Sequence, residues 1–301
     1  LDVEERRSEM VIDAHIHYDE RIFPADRMMA AMNRHGIDRA ALIPTMVDPF
    51  HLRGKPVEVA NRLLRASLLR GGGLGKFLYE TTVDSRGNFV LLGKKYKIYQ
   101  QPDNSQVAGV LERYPDRFYG WIFVNPRVGD PMAEIERWKE HPGMIGVKAH
   151  PFWHRYPVSA LDRVAAWCRD NGYPLLIHLG SRQGTGDYRY LAENFPGLKV
   201  VFAHAGIPFF RELWAYIRDR EGLYVDLSSP YLDQELVREA VSFLGPDKCL
   251  YGTDGPYGSQ APGEDYDYGW IKGWIEALSL SPSEREAVFS GNFLKVAKTG
   301  G

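Results

Sequence analysis

Val11-Ile12-Asp13-Ala14-His15-Ile16-His17 is the stretch on which the reading of this chain turns. Apolar and polar residues alternate along it, as in a strand whose side chains repeat with period two, so Asp13, His15 and His17 are predicted to share one side. Two imidazoles side by side can grip one metal ion. They serve equally well as ordinary polar groups, and the rest of the chain decides between the two uses.

The 301 residues suffice to bury a sizeable core, as two ordinary domains or one large barrel. A composition of 44% hydrophobic, 25% charged and 13% aromatic residues is that of a folded globular protein, not a disordered one. A formal net charge of -2 supplies no general attraction to nucleic acid or anionic membrane, so neither is expected as a partner. No run of about 18 apolar residues is present to span a bilayer. Residues 1–9 lack the apolar core of a secretory signal, and with Leu at position 1 and Met10 just before the strand they read as a processed or appended N-terminal extension. Cys168 and Cys249 stand far apart in apolar surroundings, which argues against a disulfide framework and for a reducing, cytoplasmic compartment.

Outward from the opening stretch the pattern is strand, helix, strand, repeated. Further strands are predicted at Arg39 to Pro44, Phe118 to Val124, Met144 to Lys148, Pro174 to Leu179, Lys199 to Ala203, Leu223 to Leu227 and Lys248 to Gly252, eight in all with the first. Amphipathic helical segments lie between them, among them Pro24 to His35, Pro131 to Glu140, Val158 to Asp170, Tyr188 to Asn194, Pro208 to Arg220 and Asp233 to Phe243. From the fourth strand on, strands recur every 25 to 30 residues or so, the length of one strand and its crossover helix. Eight such units predict a closed parallel (β/α)8 barrel. An open doubly wound sheet is the competing fold; the absence of Gly-x-Gly-x-x-Gly after the first strand and the polar residues at several strand ends favour the barrel.

The rhythm breaks once, over about 70 residues between the second and third strands. Here Pro56 to Arg70 reads as a helix, Phe77 to Thr82 and Asn88 to Leu92 as two strands around the turn Asp84-Ser85-Arg86-Gly87, and Asp103 to Tyr114 as the helix that rejoins the barrel. Gly71-Gly72-Gly73-Leu74-Gly75 resembles a flexible joint and lacks the Lys-Ser/Thr ending of a phosphate loop. The chain is thus expected to form one barrel domain over 1–301, with 51–102 as a cap insertion after the second strand. Ser281 to Lys298, opening on a capping-box-like Ser283-Glu284-Arg285-Glu286, is expected to be a terminal helix.

In such a barrel the strand C-terminal ends converge on one cavity. The first strand ends in His15 and His17, the fourth in Lys148 and His150, the fifth in His178, the sixth in His204 and the eighth in Asp254. Each alone has an ordinary use: a hydrogen-bonded histidine, a lysine reaching solvent along its apolar stem, an aspartate in a turn. Seven polar residues pointed into one mouth make those uses jointly improbable, and imidazole nitrogens with a carboxylate suit Zn(II), Mn(II) or Fe(II).

On these residues the chain resembles the amidohydrolase superfamily, in its amidohydrolase-2 branch of TIM-barrel metal-dependent hydrolases and decarboxylases. Carrying the resemblance are Ile12-Asp13-Ala14-His15-Ile16-His17, Gly146-Val147-Lys148-Ala149-His150-Pro151, Ile177-His178, Ala203-His204-Ala205-Gly206, Gly252-Thr253-Asp254 and the closing Ser283 to Val296 with Asn292; residues 51–100 lie outside it. The resemblance implies that His15, His17, His178 and Asp254 bind a divalent metal, most simply zinc, and that His204 binds a second ion or orients the water. Lys148 stands where members with two metals carry a carboxylated lysine bridging them, a modification that needs a neutral amine and so is favoured by burial. Decarboxylases of the branch generally lack that lysine, which inclines the reading to hydrolysis, while an unmodified Lys148 would be free to hold a substrate carboxylate.

A metal-dependent hydrolase cleaving an amide, ester or lactone of a small carboxylate-bearing molecule is therefore the leading expectation, with Asp254 taking the proton of the attacking water. Non-oxidative decarboxylation of a carboxylated substrate is the alternative, and a catalytically silent binding module the third reading, disfavoured by the intact ligand set. Asp13 reads as an orienting carboxylate, Asp226 and Ser228 as residues bordering the pocket, His150 as a substrate contact or a support for its turn, and Arg182, in the glycine-rich loop after strand five, as a substrate contact or part of a mere connector. Residues 51–100 hold ten Lys or Arg against three acids, +7 within a chain of -2. That surplus either draws an anionic substrate to the mouth or forms a solvated face, which in a homo-oligomer would contact a second copy.

Overall fold

A computed structural model describes residues 10–50, 55–69, 72–228, 230–257 and 266–298. The extension read over 1–9, and Arg53, Arg70 and Gly71 of the cap, lie outside the described residues.

The chain opens with β1 (Ile12–Tyr18), α1 (Ala25–His35) and β2 (Arg39–Pro44), followed by the insertion: α2 (Lys55–Leu69), α3 (Gly73–Thr81), β3 (Asn88–Leu91) and β4 (Lys94–Lys97). The rhythm resumes with α4 (Asn104–Arg113), β5 (Phe118–Val124), α5 (Pro131–Trp138), β6 (Met144–Ala149), α6 (Pro151–His154), α7 (Asp162–Asn171), β7 (Leu175–Ile177), α8 (Tyr190–Asn194) and β8 (Val200–Phe202). It ends with α9 (Phe210–Ile217), β9 (Leu223–Asp226), α10 (Gln234–Leu244), β10 (Cys249–Leu250), α11 (Trp270–Glu276), α12 (Pro282–Glu286) and α13 (Asn292–Val296).

Eight strands form one parallel sheet in the order β1-β2-β5-β6-β7-β8-β9-β10. The ring closes because the segment after β10 bonds to β1: Ala14 N–H donates to Tyr251 O at 2.9 Å and Asp254 N–H to His15 O at 2.7 Å. The fold is therefore the (β/α)8 barrel. Strands buried on both faces explain the near-continuous apolar runs, with Ala41 and Ile43 of β2 in the core inside the ring and Ala40 and Leu42 in the layer beneath the helices. Trp121 fills the ring's interior, its Nε1 donating to Ala14 O at 3.0 Å. None of the described helices is long and apolar enough to cross a membrane.

The insertion differs from the sequence reading in its centre. Phe77 to Thr81 is helical, not a strand, and the hairpin pairs β3 with β4 in antiparallel register, Leu91 opposite Lys94. Its two-residue turn is Leu92-Gly93, both at positive φ (48° and 79°), which matches the twist of the flanking strands. Asp84 to Gly87 is a turn of another kind: Asp84 Oδ1 accepts from the backbone N–H of Arg86 and Asn88, both at 2.9 Å, and leads α3 into β3. Nor is the glycine run simply a joint. Helix α3 starts at Gly73, and a Cβ on Gly75 would lie 2.2 Å from Ser67 O, so the missing side chain is what lets α3 press against α2.

At the C-terminus a capping box is present, but Ser281 is the cap, with its Oγ accepting from Glu284 N–H. A π turn over Ala287–Gly291 breaks the expected single helix into α12 and α13. Cys168 and Cys249 are both buried and free.

Candidate metal centre

His15 and His17 leave β1 at the C-terminal mouth of the ring. Their Nε2 atoms lie 3.3 and 3.2 Å from one atom, Asp254 Oδ1, on the segment after β10. Asp13 does not share their side: the β1–β2 register shifts between Asp13 and Ile16, as at a bulge, and its carboxylate instead accepts from Thr253 N–H and Oγ1, Tyr268 OH and His15 N–H. With four donors on it, burial still lifts the Asp13 carboxyl to a pKa of about 7. Asp13 thus ties β1 to the segment after β10, which is how Asp254 comes to stand over the histidines.

Behind His15 stands Asp226, the last residue of β9, its Oδ2 2.8 Å from His15 Nδ1. A carboxylate accepts, so His15 carries its proton on Nδ1 and turns the lone pair of Nε2 toward Asp254. Burial, with the Lys148 ammonium adding to it, brings the His15 pKa down to about 4, so the ring is neutral and free to bind a cation at pH 7. Burial opposes the charge on Asp254, but His204 and a hydrogen bond from His17 outweigh it and hold the carboxyl below its ordinary range.

His204 extends the cluster. Its Nδ1 faces Ser228 O at 3.0 Å and its Nε2 faces His178 Nδ1 at 2.9 Å. Both His204 and Asp254 sit in the left-handed region, at φ of 58° and 59°, a strained conformation for side chains of their size that positions at functional sites often retain. Among the described residues two triads have donor atoms all within 4.8 Å of one another, His15, His17 and Asp254, and His15, His204 and Asp226. In the second Asp226 is already engaged by His15, His204 N–H and Ser228, which leaves the first as the open one.

Lys148 is fully buried, its Nζ 3.5 Å from His15 Nε2, and burial lowers its pKa to about 8 against the opposing pull of Asp226 and Asp254. His178 does not join the triad of His15, His17 and Asp254; it pairs with His204. His150 lines the pocket, stacks on His178 with centroids 4.1 Å apart, and accepts from Trp153 N–H as the cap of α6, so it serves its turn as well as the cavity. Arg182 corrects the sequence reading: it is exposed and paired with Glu80 of α3 at 3.0 Å, and does not line the cavity.

A cavity lies directly above the cluster. Its floor is His17, His150, His178 and Asp254. Its walls are largely apolar, with Phe50, Trp153, Tyr231 and Tyr257 from the barrel loops and Leu64, Phe89, Val90 and Leu91 from the insertion. Among the described residues no Lys or Arg lines it. Lys94, Lys95 and Lys97 lie outside, exposed on β4, with Lys95 paired to Asp84. Tyr79 of α3 is a contact the sequence reading missed: it is fully buried with its hydroxyl 2.5 Å from His178 Nε2. The signal available was its spacing of four from Gly75, one face of one helix.

The barrel recurs among known proteins. The 2-keto-4-carboxy-3-hexenedioate hydratase of Sphingobium sp. (strain NBRC 103272 / SYK-6) is 24% identical, the match spanning 66% of this chain and 71% of the hydratase. Among solved structures, 4-oxalomesaconate hydratase of Rhodopseudomonas palustris superposes with a TM-score of 0.60 at 15% identity, covering 95% of each chain. A 5-carboxyvanillate decarboxylase of Novosphingobium aromaticivorans, complexed with manganese, superposes at 0.59 with 16% identity and 96% of each chain covered. The amidohydrolase family model matches residues 92–296, more than half of the sequence, and the chain belongs to that family.

Proposed function

We propose that this protein is a divalent-metal-dependent hydrolase that delivers water to the carbonyl of a small ester, lactone or amide. The observation that carries the reading is the meeting of lone pairs at Asp254 Oδ1. Asp226 pins the His15 proton to Nδ1, so at 3.3 Å an imidazole acceptor faces a carboxylate acceptor, with His17 Nε2 3.2 Å from the same oxygen. Two acceptors turned on one another in a buried site, with the Lys148 amine 3.5 Å from the same His15 Nε2, favour a cation held between them.

His15, His17 and Asp254 would hold that ion, with the facing nitrogens of His178 and His204 beside it. Nitrogen with one carboxylate suits Zn(II), the ion we assign, and also Mn(II) and Fe(II). When bound, such an ion acidifies water and polarises a carbonyl. Asp254, its carboxyl held below the ordinary range, accepts the proton of the attacking water and returns it to the leaving group. His204, its Nδ1 proton held by Ser228 O, keeps Nε2 turned to the centre. Lys148, buried against His15, would form a carbamate from its neutral amine and CO2 with loss of a proton, adding oxygen donors to the cluster.

The walls suit a flat, largely apolar ring. The relatives named above act on carboxylated molecules, which supports a carboxylate on the substrate, and the positive insertion would draw such a molecule to the mouth. The test is turnover by the Zn(II)-loaded protein of aryl esters, lactones and amides, with and without a ring carboxylate, in ¹⁸O-labelled water. Label in a cleaved product is the expected result. CO2 release without cleavage by water would replace this reading with decarboxylation.

A further inference from the structure

Helix α3 descends on the loop after β7 with two consecutive residues. Glu80 grips the loop: its Oε1 accepts from Ser181 N–H at 2.9 Å and Ser181 Oγ at 2.8 Å, and its Oε2 pairs with Arg182 Nε at 3.0 Å. Tyr79 goes deeper. Its ring stacks on Phe152 (centroids 4.2 Å apart, planes 16° apart) and meets Tyr231 edge-on, which fixes the hydroxyl 2.5 Å from His178 Nε2 and 3.3 Å from Leu179 O.

The hydroxyl has one proton and two neighbours. If the proton goes to His178 Nε2, the His178 proton sits on Nδ1 and is spent on His204 Nε2. If it goes to Leu179 O, the hydroxyl receives Nε2–H instead and Nδ1 is bare. His204 already carries its proton on Nδ1, because Ser228 O accepts there. A buried carbonyl needs a donor, and among the described residues Tyr79 is the one that reaches Leu179 O.

We infer that Tyr79 is a positioning residue of the metal centre: its hydroxyl can donate to Leu179 O and accept the His178 Nε2–H, which frees His178 Nδ1 to join His204 Nε2, 2.9 Å away, as a second ligand pair when an ion replaces the hydrogen bond between them. This rests on the metal-dependent reading proposed above. The insertion then does more than cover the cavity. It completes the ligand set, because the group that orients His178 is carried by α3 and not by the barrel.

Two measurements on the full-length protein test this. In the Zn(II)-loaded wild type, long-range ¹⁵N–¹H correlation should show His178 protonated on Nε2 with no proton on Nδ1; a proton kept on Nδ1 in the loaded protein overturns the proposal. Tyr79→Phe keeps the stacked ring and removes only the hydroxyl, and should weaken Zn(II) binding about 10- to 100-fold in competition with a chromophoric chelator. Unchanged Zn(II) affinity in a folded Tyr79→Phe protein also overturns it. A wild type that takes up no Zn(II) removes the metal-dependent reading itself, an outcome told apart from the others by metal analysis of the folded wild type.

Discussion

Asp226 Oδ2 lies 2.8 Å from His15 Nδ1, while the other oxygen of the same carboxylate accepts from His204 N–H, Ser228 N–H and Ser228 Oγ. One fully buried carboxylate thus sets the tautomer of His15 and the backbone of His204 together. An asparagine serves only one side, because its NH2 must face either the His15 N–H or the three donors opposite. Asp226→Asn is therefore expected to weaken Zn(II) binding about 10- to 100-fold and to lower the melting temperature of the metal-free protein. Chelator competition and calorimetry measure the two effects; wild-type affinity would show that the His15 tautomer is fixed by something else.

Asp254 permits a cleaner separation of chemistry from fold. Its φ of 59° suits asparagine, which tolerates the left-handed region far better than most side chains. Asp254→Asn should keep the fold while losing the ability to take a proton, and kcat is expected to fall about 10²- to 10⁴-fold. Circular dichroism and turnover of whichever ester, lactone or amide the wild type cleaves check both halves.

How far the sequence could be read depends on what each signal measures. The barrel strands were legible because a strand buried on both faces must be apolar throughout, as Ala40 to Ile43 and Ile145 to Val147 are. The meeting of His15, His17 and Asp254 was legible too, since closing the ring alone carries the ends of β1 and β10 together. Phe77 to Thr81 misled because Phe, Tyr and Thr favour strands on composition, whereas the helix is decided by the close approach of α3 to α2 at Gly75. Contacts between insertion and barrel leave no periodic trace: nothing near Tyr79 announces His178, and nothing near Arg182 announces that Glu80 will capture it.

That close approach gives a direct test of the insertion. A methyl on Gly75 would lie 2.2 Å from Ser67 O and 2.5 Å from Ser67 C, backbone atoms that cannot swing aside. Gly75→Ala should destabilise the packing of α2 against α3 by about 1–3 kcal/mol. Faster amide exchange in α2 and α3, with the barrel strands unchanged, is the expected pattern. Since α3 carries Tyr79, Zn(II) affinity should fall with it.

Lys148 separates two roles for one buried amine. As a carbamate it supplies oxygen donors, and the Zn(II)-loaded protein equilibrated with ¹³C-bicarbonate should then show a carbamate resonance that Lys148→Met abolishes along with most of the activity. As an ammonium it holds a substrate carboxylate; no resonance would appear, and Lys148→Met would raise KM for carboxylated substrates more than for neutral ones.

The positive insertion makes its own prediction, because its charge is on the outside. Along β4 the period of two turns Tyr96 inward against Phe50 and Phe89 and leaves Lys95 and Lys97 exposed, so these lysines act on a substrate only through the field at the mouth. Such a field is screened within about 10 Å at 0.1 M salt. Replacing Lys94 and Lys97 with glutamine should therefore lower kcat/KM for an anionic substrate at low ionic strength, leave kcat unchanged, and lose its effect as salt is raised. An equal effect on a neutral analogue would mean that the lysines act through the shape of the hairpin, not through their charge.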